Sequence, residues 1–223
     1  MTSGDDIKAV LWDFGGVILS SPFEAFNRFE AERGLPADFV RTVNTHDPDA
    51  NAWARLERSE LTHAEFDEAF ALESQRLGHE VRGADILALL AGEVRPEMVA
   101  ALDAVKAAGY KTACLTNNVT KSDGIDPTAN ERADVAPIMA RFDAVVESSK
   151  VGYRKPEPQF YRTACELLDV HPEACVYLDD LGINLKPARA MGMRTIKVGA
   201  PEVAIAELES ILGIPLRSPQ RLP

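Results

Sequence analysis

The feature that most constrains the fold of this chain is the alternation of short apolar runs with helix-like segments. The helix-like segments of its second half have apolar residues at helical spacing, and they lie at 96–108, 135–141, 159–168, 183–191 and 203–212. The strand-like runs are short and rich in β-branched or aromatic residues, and they lie at 7–12, 111–115, 144–146, 175–178 and 195–198. Strands that alternate with helices predict an α/β fold with a doubly wound, parallel, Rossmann-like sheet.

A helical stretch interrupts this alternation after the first strand. Residues from about 22 to 92 have helical spacing without strand-like alternation, and Thr62 with Glu65 forms a capping-box pair ahead of one helix. We therefore expect residues 1–17 and 95–223 to form the α/β core and residues 18–94 to form an inserted α-helical cap domain. A polar loop is expected at 118–134.

The charge balance and the cysteines exclude several classes of protein. The chain has 24 Lys and Arg against 35 Asp and Glu, a net charge of −11, so we expect no nucleic-acid or membrane partner. No apolar run approaches the ~20 residues of a membrane span. The polar, acidic start of the chain does not resemble a secretory signal. Three cysteines without CxxC spacing favour reduced thiols and a cytoplasmic location. The oligomeric state stays open.

Polar residues follow the predicted strands at the points where ligands bind in parallel sheets. Asp13 ends the first strand, Thr116 ends the next, and Asp179 and Asp180 follow a third. The carboxyl ends of parallel strands share one edge of the sheet, so these side chains should lie together. Lys155 lies in a loop that opens a helix and can reach the same edge.

These residue types together favour a magnesium and phosphate site. Carboxylate and backbone oxygens are the ligands that Mg²⁺ prefers. Lys155 and the hydroxyl of Thr116 could hold phosphoryl oxygens, as could backbone N–H groups in the glycine turn after Asp13, which includes Gly16. A carboxylate can also act as a nucleophile and form an acyl phosphate.

Four motifs in this order resemble the haloacid dehalogenase-like hydrolase superfamily. They are VLWDFGGV at 10–17, ACLTNN at 113–118, GYRKPEP at 152–158 and VYLDD at 176–180. The stretch 178–193 is similar to the phosphatase-like N-terminal domain of soluble epoxide hydrolases. The resemblance covers about 7–20 and 95–200, and it implies an α/β hydrolase core with a helical cap inserted after the first motif.

The resemblance implies a role for each acidic residue. Asp13 would be the nucleophile and a Mg²⁺ ligand, and the carbonyl of Gly15 would be a second ligand. Asp180 would bind the cation directly, with Asp179 beside or just behind it. Asn184 would orient the carboxylates.

The same resemblance implies the substrate-binding residues. Thr116 and Lys155 would bind the phosphoryl group, Asn117 would contribute its backbone amide, and Gly16 would belong to the same binding turn. The implied function is Mg²⁺-dependent hydrolysis of a small phosphate monoester through an aspartyl-phosphate. Arg154, next to Lys155, is expected to be a solvated arginine.

One position departs from the pattern of the family's phosphatases. The residue two after the nucleophile is usually a second Asp that serves as general acid and base, and here it is Gly15. Positioned acid–base catalysis is worth ~10²–10⁴ in rate. Glu24, His46 and Asp47 in the predicted cap are candidates to replace it, although exposed positions are the favoured interpretation of all three.

Two alternative functions stay open. Carbon–halogen hydrolysis of a 2-haloacid suits a missing acid, because a halide leaves without a proton, but it gives the paired Asp179 and Asp180 no purpose. A non-catalytic binding protein also suits Gly15. It does not explain why four site residues occur together, which are Asp13, Thr116, Lys155 and Asp180.

Overall fold

A five-stranded parallel sheet forms the centre of the molecule. The computed structural model describes residues 7–90, 92–118 and 133–216. Its strands are β1 (Ala9–Trp12), β2 (Lys111–Thr116), β3 (Ala144–Glu147), β4 (Cys175–Asp179) and β5 (Arg194–Lys197). They lie in the order β3-β2-β1-β4-β5, and every pair is parallel. The central strand β1 pairs on both sides, with Trp12 opposite Cys114 of β2 and Leu178 of β4.

Helices cover the sheet and fill the insertion after β1. The insertion contains α1 (Phe23–Arg33), α2 (Phe39–Thr45), α3 (Ala52–Glu57), α4 (His63–Arg76) and α5 (Gly83–Ala88). The helices after it are α6 (Pro96–Ala107), α7 (Ala136–Met139), α8 (Ser148–Val151), α9 (Pro158–Leu168), α10 (Gly182–Ala190) and α11 (Pro201–Leu212), with a 3₁₀ turn at Pro172–Ala174. Among the described residues, no helix has the length and apolar character needed to cross a membrane.

Side chains of the central strand alternate between two hydrophobic cores. Val10 and Trp12 pack in one core with residues of α6 and α11, whereas Ala9 and Leu11 pack in the other with residues of α9 and α10. All four side chains are fully buried, as expected for a strand covered by helices on both faces. The predicted doubly wound α/β fold is therefore confirmed.

The helices of the insertion surround a hydrophobic cluster of their own. Phe66 of α4 is fully buried there and packs against Phe70 and Trp53, with ring centroids 5.4 and 5.7 Å away. The predicted capping box starts α4, because Thr62 accepts a hydrogen bond from the Glu65 N–H and the Glu65 carboxylate accepts one from the Thr62 N–H. The segment thus has the separate core that an inserted helical cap needs.

Two antiparallel connections join the insertion to the sheet. Leu19 and Val94 form an isolated β-bridge, and the Ser20 N–H donates to the Glu93 carbonyl at 2.8 Å. The chain therefore leaves and re-enters the core at one place. We propose this junction as the boundary of the cap domain at 18–94, hereafter the cap.

The elements predicted from the sequence are present with small differences in their ends. Each predicted strand, and each predicted helix after the cap, begins and ends within two residues of its expected position. Most of the loop expected at 118–134 lies outside the described residues. The glycine turn expected after Asp13 is present at Phe14–Ile18, whereas the short helix α8 was not predicted, because a single helical turn has too few residues to show a period.

Candidate active site

Asp13 is held at the carboxyl end of the central strand. Its N–H donates to the Leu178 carbonyl at 2.8 Å and so continues the pairing with β4. Its carboxylate Oδ1 accepts the Phe14 N–H at 2.6 Å. The side chain is almost fully buried, and the helical turn Phe14–Ile18 begins directly after it. This arrangement points a fixed carboxylate into the crevice where strand order reverses between β1 and β4.

Lys155 places a buried ammonium between two carboxylates. Its side chain is only 2% exposed, and its Nζ lies 2.6 Å from Asp13 Oδ1 and 3.0 Å from Asp179 Oδ2. Burial by itself lowers the pKa of Lys155, but Asp13 and Asp179 together raise it above its ordinary value. The lysine therefore stays charged and provides a permanent cation in the crevice.

Asp179 is saturated with hydrogen-bond donors. Its carboxylate accepts the Leu181 N–H at 2.8 Å and the Asn184 amide at 3.1 Å to each oxygen. The Tyr177 hydroxyl donates to the same group, as does Lys155. Because so many donors occupy it, Asp179 is better suited to orient its neighbours than to bind a ligand itself.

Asp180 completes a cluster of three carboxylates. Asp13, Asp179 and Asp180 each offer an oxygen, and these oxygens lie within 4.8 Å of one another, close enough to hold a metal ion. Burial first, and then Asp179, raise the pKa of Asp180 to about 6, and burial also raises the pKa of Asp13. Asp180 accepts a side-chain hydrogen bond from Ser21 at 3.3 Å. A cation in this cluster would offset the repulsion between the carboxylates.

The two glycines after Asp13 differ in what they permit. Gly16 has a φ of +78°, and a Cβ added to it would lie 2.3 Å from Asp180 Oδ2. Its carbonyl accepts a hydrogen bond from Arg95 Nη1 at 2.8 Å. Gly15 has a φ of −69°, and a Cβ there would meet open space. Gly16 is thus required by backbone geometry, whereas Gly15 leaves room for a side chain.

Thr116 ends β2, and Asn117, which follows it, contacts Lys155. Thr116 is the last residue of the strand and is buried. The Asn117 side chain binds both backbone groups of Lys155, since its Oδ1 accepts the Lys155 N–H at 2.9 Å and its Nδ2 donates to the Lys155 carbonyl at 3.1 Å. The sequence motif suggested only a backbone role for Asn117, so this side-chain contact is an addition.

Several residues at the site were missed or misjudged from the sequence. Arg154 is not solvated as expected: its side chain is 16% exposed and pairs with Glu57 of α3, at 2.5 Å from Nε to Oε2. Nothing in the sequence pattern indicates a role for Glu57, because its partner Arg154 lies in the core, far from the cap along the chain. Tyr177 could have been found, since residues two apart on a strand face the same side and Asp179 follows it by two.

The structure describes the side chains of two of the three cap residues that were candidates to replace the general acid absent at Gly15. His46 and Asp47 are both exposed. The side chain of Glu24 lies outside the described part of the structure. A different cap carboxylate, Glu57, contacts a predicted site residue, since its Oε2 accepts a hydrogen bond from Asn117 Nδ2 at 3.3 Å.

Comparisons with known proteins identify the family of this chain. Residues 7–192 match the haloacid dehalogenase-like hydrolase family. The chain is 34% identical over 220 residues to mouse acyl-CoA dehydrogenase family member 10, covering 96% of this chain and 20% of that protein. It is 32% identical over 219 residues to mouse bifunctional epoxide hydrolase 2, covering 93% of this chain and 39% of that protein. The chain therefore corresponds to only part of each relative.

A solved structure has the same fold. A haloacid dehalogenase family enzyme from Bacteroides thetaiotaomicron, crystallised with magnesium and inorganic phosphate, superposes with a TM-score of 0.56 at 20% identity. The match covers 87% of this chain and 95% of that one. Shorter matches include proteins named as phosphatases and one named as a 2-haloacid dehalogenase.

The chain belongs to the haloacid dehalogenase-like hydrolases. It is a hydrolase of that superfamily, and its relatives include both phosphatases and dehalogenases. The family resemblance and the enzyme class predicted from the motifs are confirmed.

The contrast between the two glycines predicts their tolerance of a methyl group. Gly16→Ala should lower the free energy of unfolding by about 1–3 kcal/mol, because alanine is strained at positive φ and its Cβ displaces the Asp180 carboxylate. The matched control Gly15→Ala should stay within about 1 kcal/mol of the parent protein, since its backbone is extended and the space is open. Denaturant unfolding without divalent cations measures both. Equal stabilities of the two variants would contradict the described turn.

Proposed function

We propose that this chain is a Mg²⁺-dependent phosphatase that hydrolyses a small phosphate monoester through an aspartyl-phosphate at Asp13. The observation that carries the proposal is the buried contact between the Asp13 carboxylate and the Lys155 ammonium, at 2.6 Å, beside two further carboxylates. A nucleophilic carboxylate needs a cation next to it to draw in a phosphoryl dianion. In this site the Lys155 ammonium is one such cation, and the carboxylate oxygens could bind a metal ion as a second.

The chemistry of the donors fits magnesium. Asp13 and Asp180 supply carboxylate oxygens, and the carbonyl of Gly15 is the backbone oxygen that the family resemblance adds. Asp179 and Asn184 would support these ligands from behind, because their side chains already bind each other. Mg²⁺ in this position would neutralise carboxylate and phosphate charge and hold a phosphoryl oxygen. The Bacteroides enzyme with the same fold was crystallised with magnesium and inorganic phosphate, which supports magnesium as the cation.

Different residues would carry out different parts of the reaction. An oxygen of Asp13 attacks phosphorus as the bond from phosphorus to the ester oxygen breaks, which leaves an acyl phosphate and an alkoxide. Lys155 and Thr116, with the backbone N–H groups near Gly16 and Asn117, would hold the phosphoryl oxygens and stabilise their charge. Water then attacks the same phosphorus, which restores the Asp13 carboxylate and releases phosphate. The cap would exclude bulk water during the transfer.

Gly15 limits the leaving groups that this site can expel. With no carboxylic acid at that position, the departing alkoxide receives no proton from the usual place. Leaving groups that are stable as anions, such as phenolates, should therefore depart faster than simple alkoxides. The substrate class that follows is a small phosphate ester with an acidic leaving group, or one that brings its own proton donor.

A second candidate, carbon–halogen hydrolysis, rests on the same glycine. Halide departs without a proton, so Asp13 could displace it from a 2-haloacid with no acid at residue 15. The acidic cluster weighs against this chemistry, because displacement of a halide by a carboxylate requires no divalent cation. Halide release from 2-chloropropionate that a chelator leaves unchanged would favour this candidate over the phosphatase.

Replacing the nucleophile tests the proposal. Asp13→Asn should lower turnover of para-nitrophenyl phosphate by about 10⁴-fold or more, because an amide cannot form the acyl phosphate. Chelation of Mg²⁺ by EDTA should stop turnover by the parent protein. The control Asp103→Asn makes the same chemical change on the exposed surface of α6 and should retain full activity. Turnover that survives Asp13→Asn would end the proposal.

Supplying the missing acid should extend the substrate range. Gly15→Asp should raise kcat for alkyl phosphate monoesters by about 10-fold or more, since a positioned acid can protonate the alkoxide and the backbone has room for the side chain. Gly15→Asn is the matched control, because it fills the same space without a carboxylic proton. The measurement is phosphate release from an alkyl and an aryl ester. An equal response of the two variants would show that proton donation at residue 15 does not limit turnover.

A further inference from the structure

Glu57 brings a buried carboxylate from the cap to the core. It is the last residue of α3, and its side chain is 7% exposed. Its Oε2 lies 2.5 Å from Arg154 Nε, and its Oε1 accepts the Trp53 indole N–H at 3.0 Å. Arg154 directly precedes Lys155, so this ion pair joins the cap to the segment that carries the catalytic lysine.

Asn117 links Glu57 to Lys155 by a second route. The Asn117 amide nitrogen donates to Glu57 Oε2 at 3.3 Å and to the Lys155 carbonyl at 3.1 Å. Its amide oxygen accepts the Lys155 N–H at 2.9 Å. Both backbone polar groups of Lys155 are therefore bound by one side chain, and Glu57 accepts a hydrogen bond from that side chain.

The charges around Glu57 favour this closed arrangement. Burial raises the pKa of Glu57, and Arg154, the Trp53 indole, Lys155 and Arg58 act in the opposite direction. Removing one partner of a buried ion pair leaves the other charge without compensation, which is strongly destabilising. The pair should hold the cap against the core whenever both groups are charged.

Two residues that directly follow α3 contact the core on both sides of Lys155 in the sequence. The hydroxyl of Ser59 donates to the Ser149 carbonyl at 3.0 Å, before the lysine. Arg58 Nη1 lies 3.9 Å from Glu157 Oε1, after it. The cap thus contacts the same stretch of core at several points, with Glu57 as the buried one.

We propose that Glu57 is a positioning residue, which from the cap fixes Lys155 against Asp13 through Asn117 and Arg154. Cap docking and assembly of the phosphate-binding centre are then coupled, because a cap that moves away removes the Glu57 carboxylate from Asn117, which binds the Lys155 backbone, and from Arg154, which precedes Lys155. Glu57 need not touch substrate for this role. Its effect on turnover rests on the proposed phosphatase function, whereas its effect on the lysine segment does not.

Steady-state kinetics with para-nitrophenyl phosphate test the effect on turnover. Glu57→Ala should lower kcat by about 10- to 100-fold with a smaller change in KM, because misplacement of a group that stabilises the transition state acts mainly on the chemical step. Glu57→Gln keeps the size and an acceptor oxygen, so it serves if the alanine variant unfolds, and its kcat should fall less. The control Glu30→Gln alters a buried cap carboxylate that binds the Asp38 and Val40 N–H groups, and kcat should not change.

A double-mutant cycle separates positioning from a general loss of stability. In an Asn117→Ala background, Glu57→Ala should lower kcat by a smaller factor than in the parent protein, because the route through Asn117 is already broken and only the route through Arg154 is left. Fold-losses in kcat that multiply in the double variant would overturn the proposal. An unchanged kcat in both Glu57 variants of an active enzyme would also overturn it.

Hydrogen exchange provides a readout that does not depend on turnover. A peptide containing residues 153–157 should exchange faster in Glu57→Ala and Glu57→Gln than in the parent protein or in Glu30→Gln, because Asn117, whose amide oxygen accepts the Lys155 N–H, loses its contact with the Glu57 carboxylate. If the parent protein hydrolyses no phosphate ester, the proposed function fails, and this exchange still decides the role of Glu57. Faster exchange supports the positioning role, and unchanged exchange overturns it.

Discussion

The buried ammonium of Lys155 is the interaction on which the rest of the site depends. Three carboxylates cannot share a crevice from which water is largely excluded unless a positive charge compensates them. Lys155 contacts Asp13 and Asp179 directly, at 2.6 and 3.0 Å, and its own charge is held by the same two groups. One cation for three carboxylates leaves the cluster short of positive charge. A divalent ion in the proposed site would supply the missing positive charge.

The topology of the sheet makes this convergence possible. Asp13 and Asp179 come from adjacent parallel strands, and Asp13 continues the ladder through the Leu178 carbonyl. Lys155 arrives from the connection between β3 and α9, and the Asn117 side chain fixes its backbone there. Each residue is placed by a different connection of the chain. Preorganisation therefore comes from strand pairing and hydrogen bonds rather than from any single loop.

The sequence predicted the parts of the site that follow from strand ends. Polar residues after apolar strands must gather at one edge of a parallel sheet, so Asp13, Thr116 and Asp179 could be placed together without coordinates. Lys155 was expected at the same edge because it lies in a loop that opens a helix. The role of the Asn117 side chain could not be predicted in this way, because it depends on how two loops approach each other.

The contact of the cap with the core was beyond the reach of sequence patterns. Glu57 lies on a short helix whose spacing says only that one face is buried. Its partner Arg154 looks like any charged loop residue, and the ion pair exists only because the helices of the cap fold back on the lysine segment. Periodicity describes neighbours along the chain. It carries no information on which distant surface a helix will meet.

Anomalous diffraction from crystals grown with Mn²⁺ in place of Mg²⁺ would show whether these carboxylates bind a divalent cation. We expect one strong peak in contact with the carboxylates of Asp13 and Asp180 and with the Gly15 carbonyl, and no peak there in Asp180→Asn crystals. A peak elsewhere, or none at a Mn²⁺ concentration that supports turnover, would contradict the claim that these acidic groups and Lys155 together assemble a divalent-cation site.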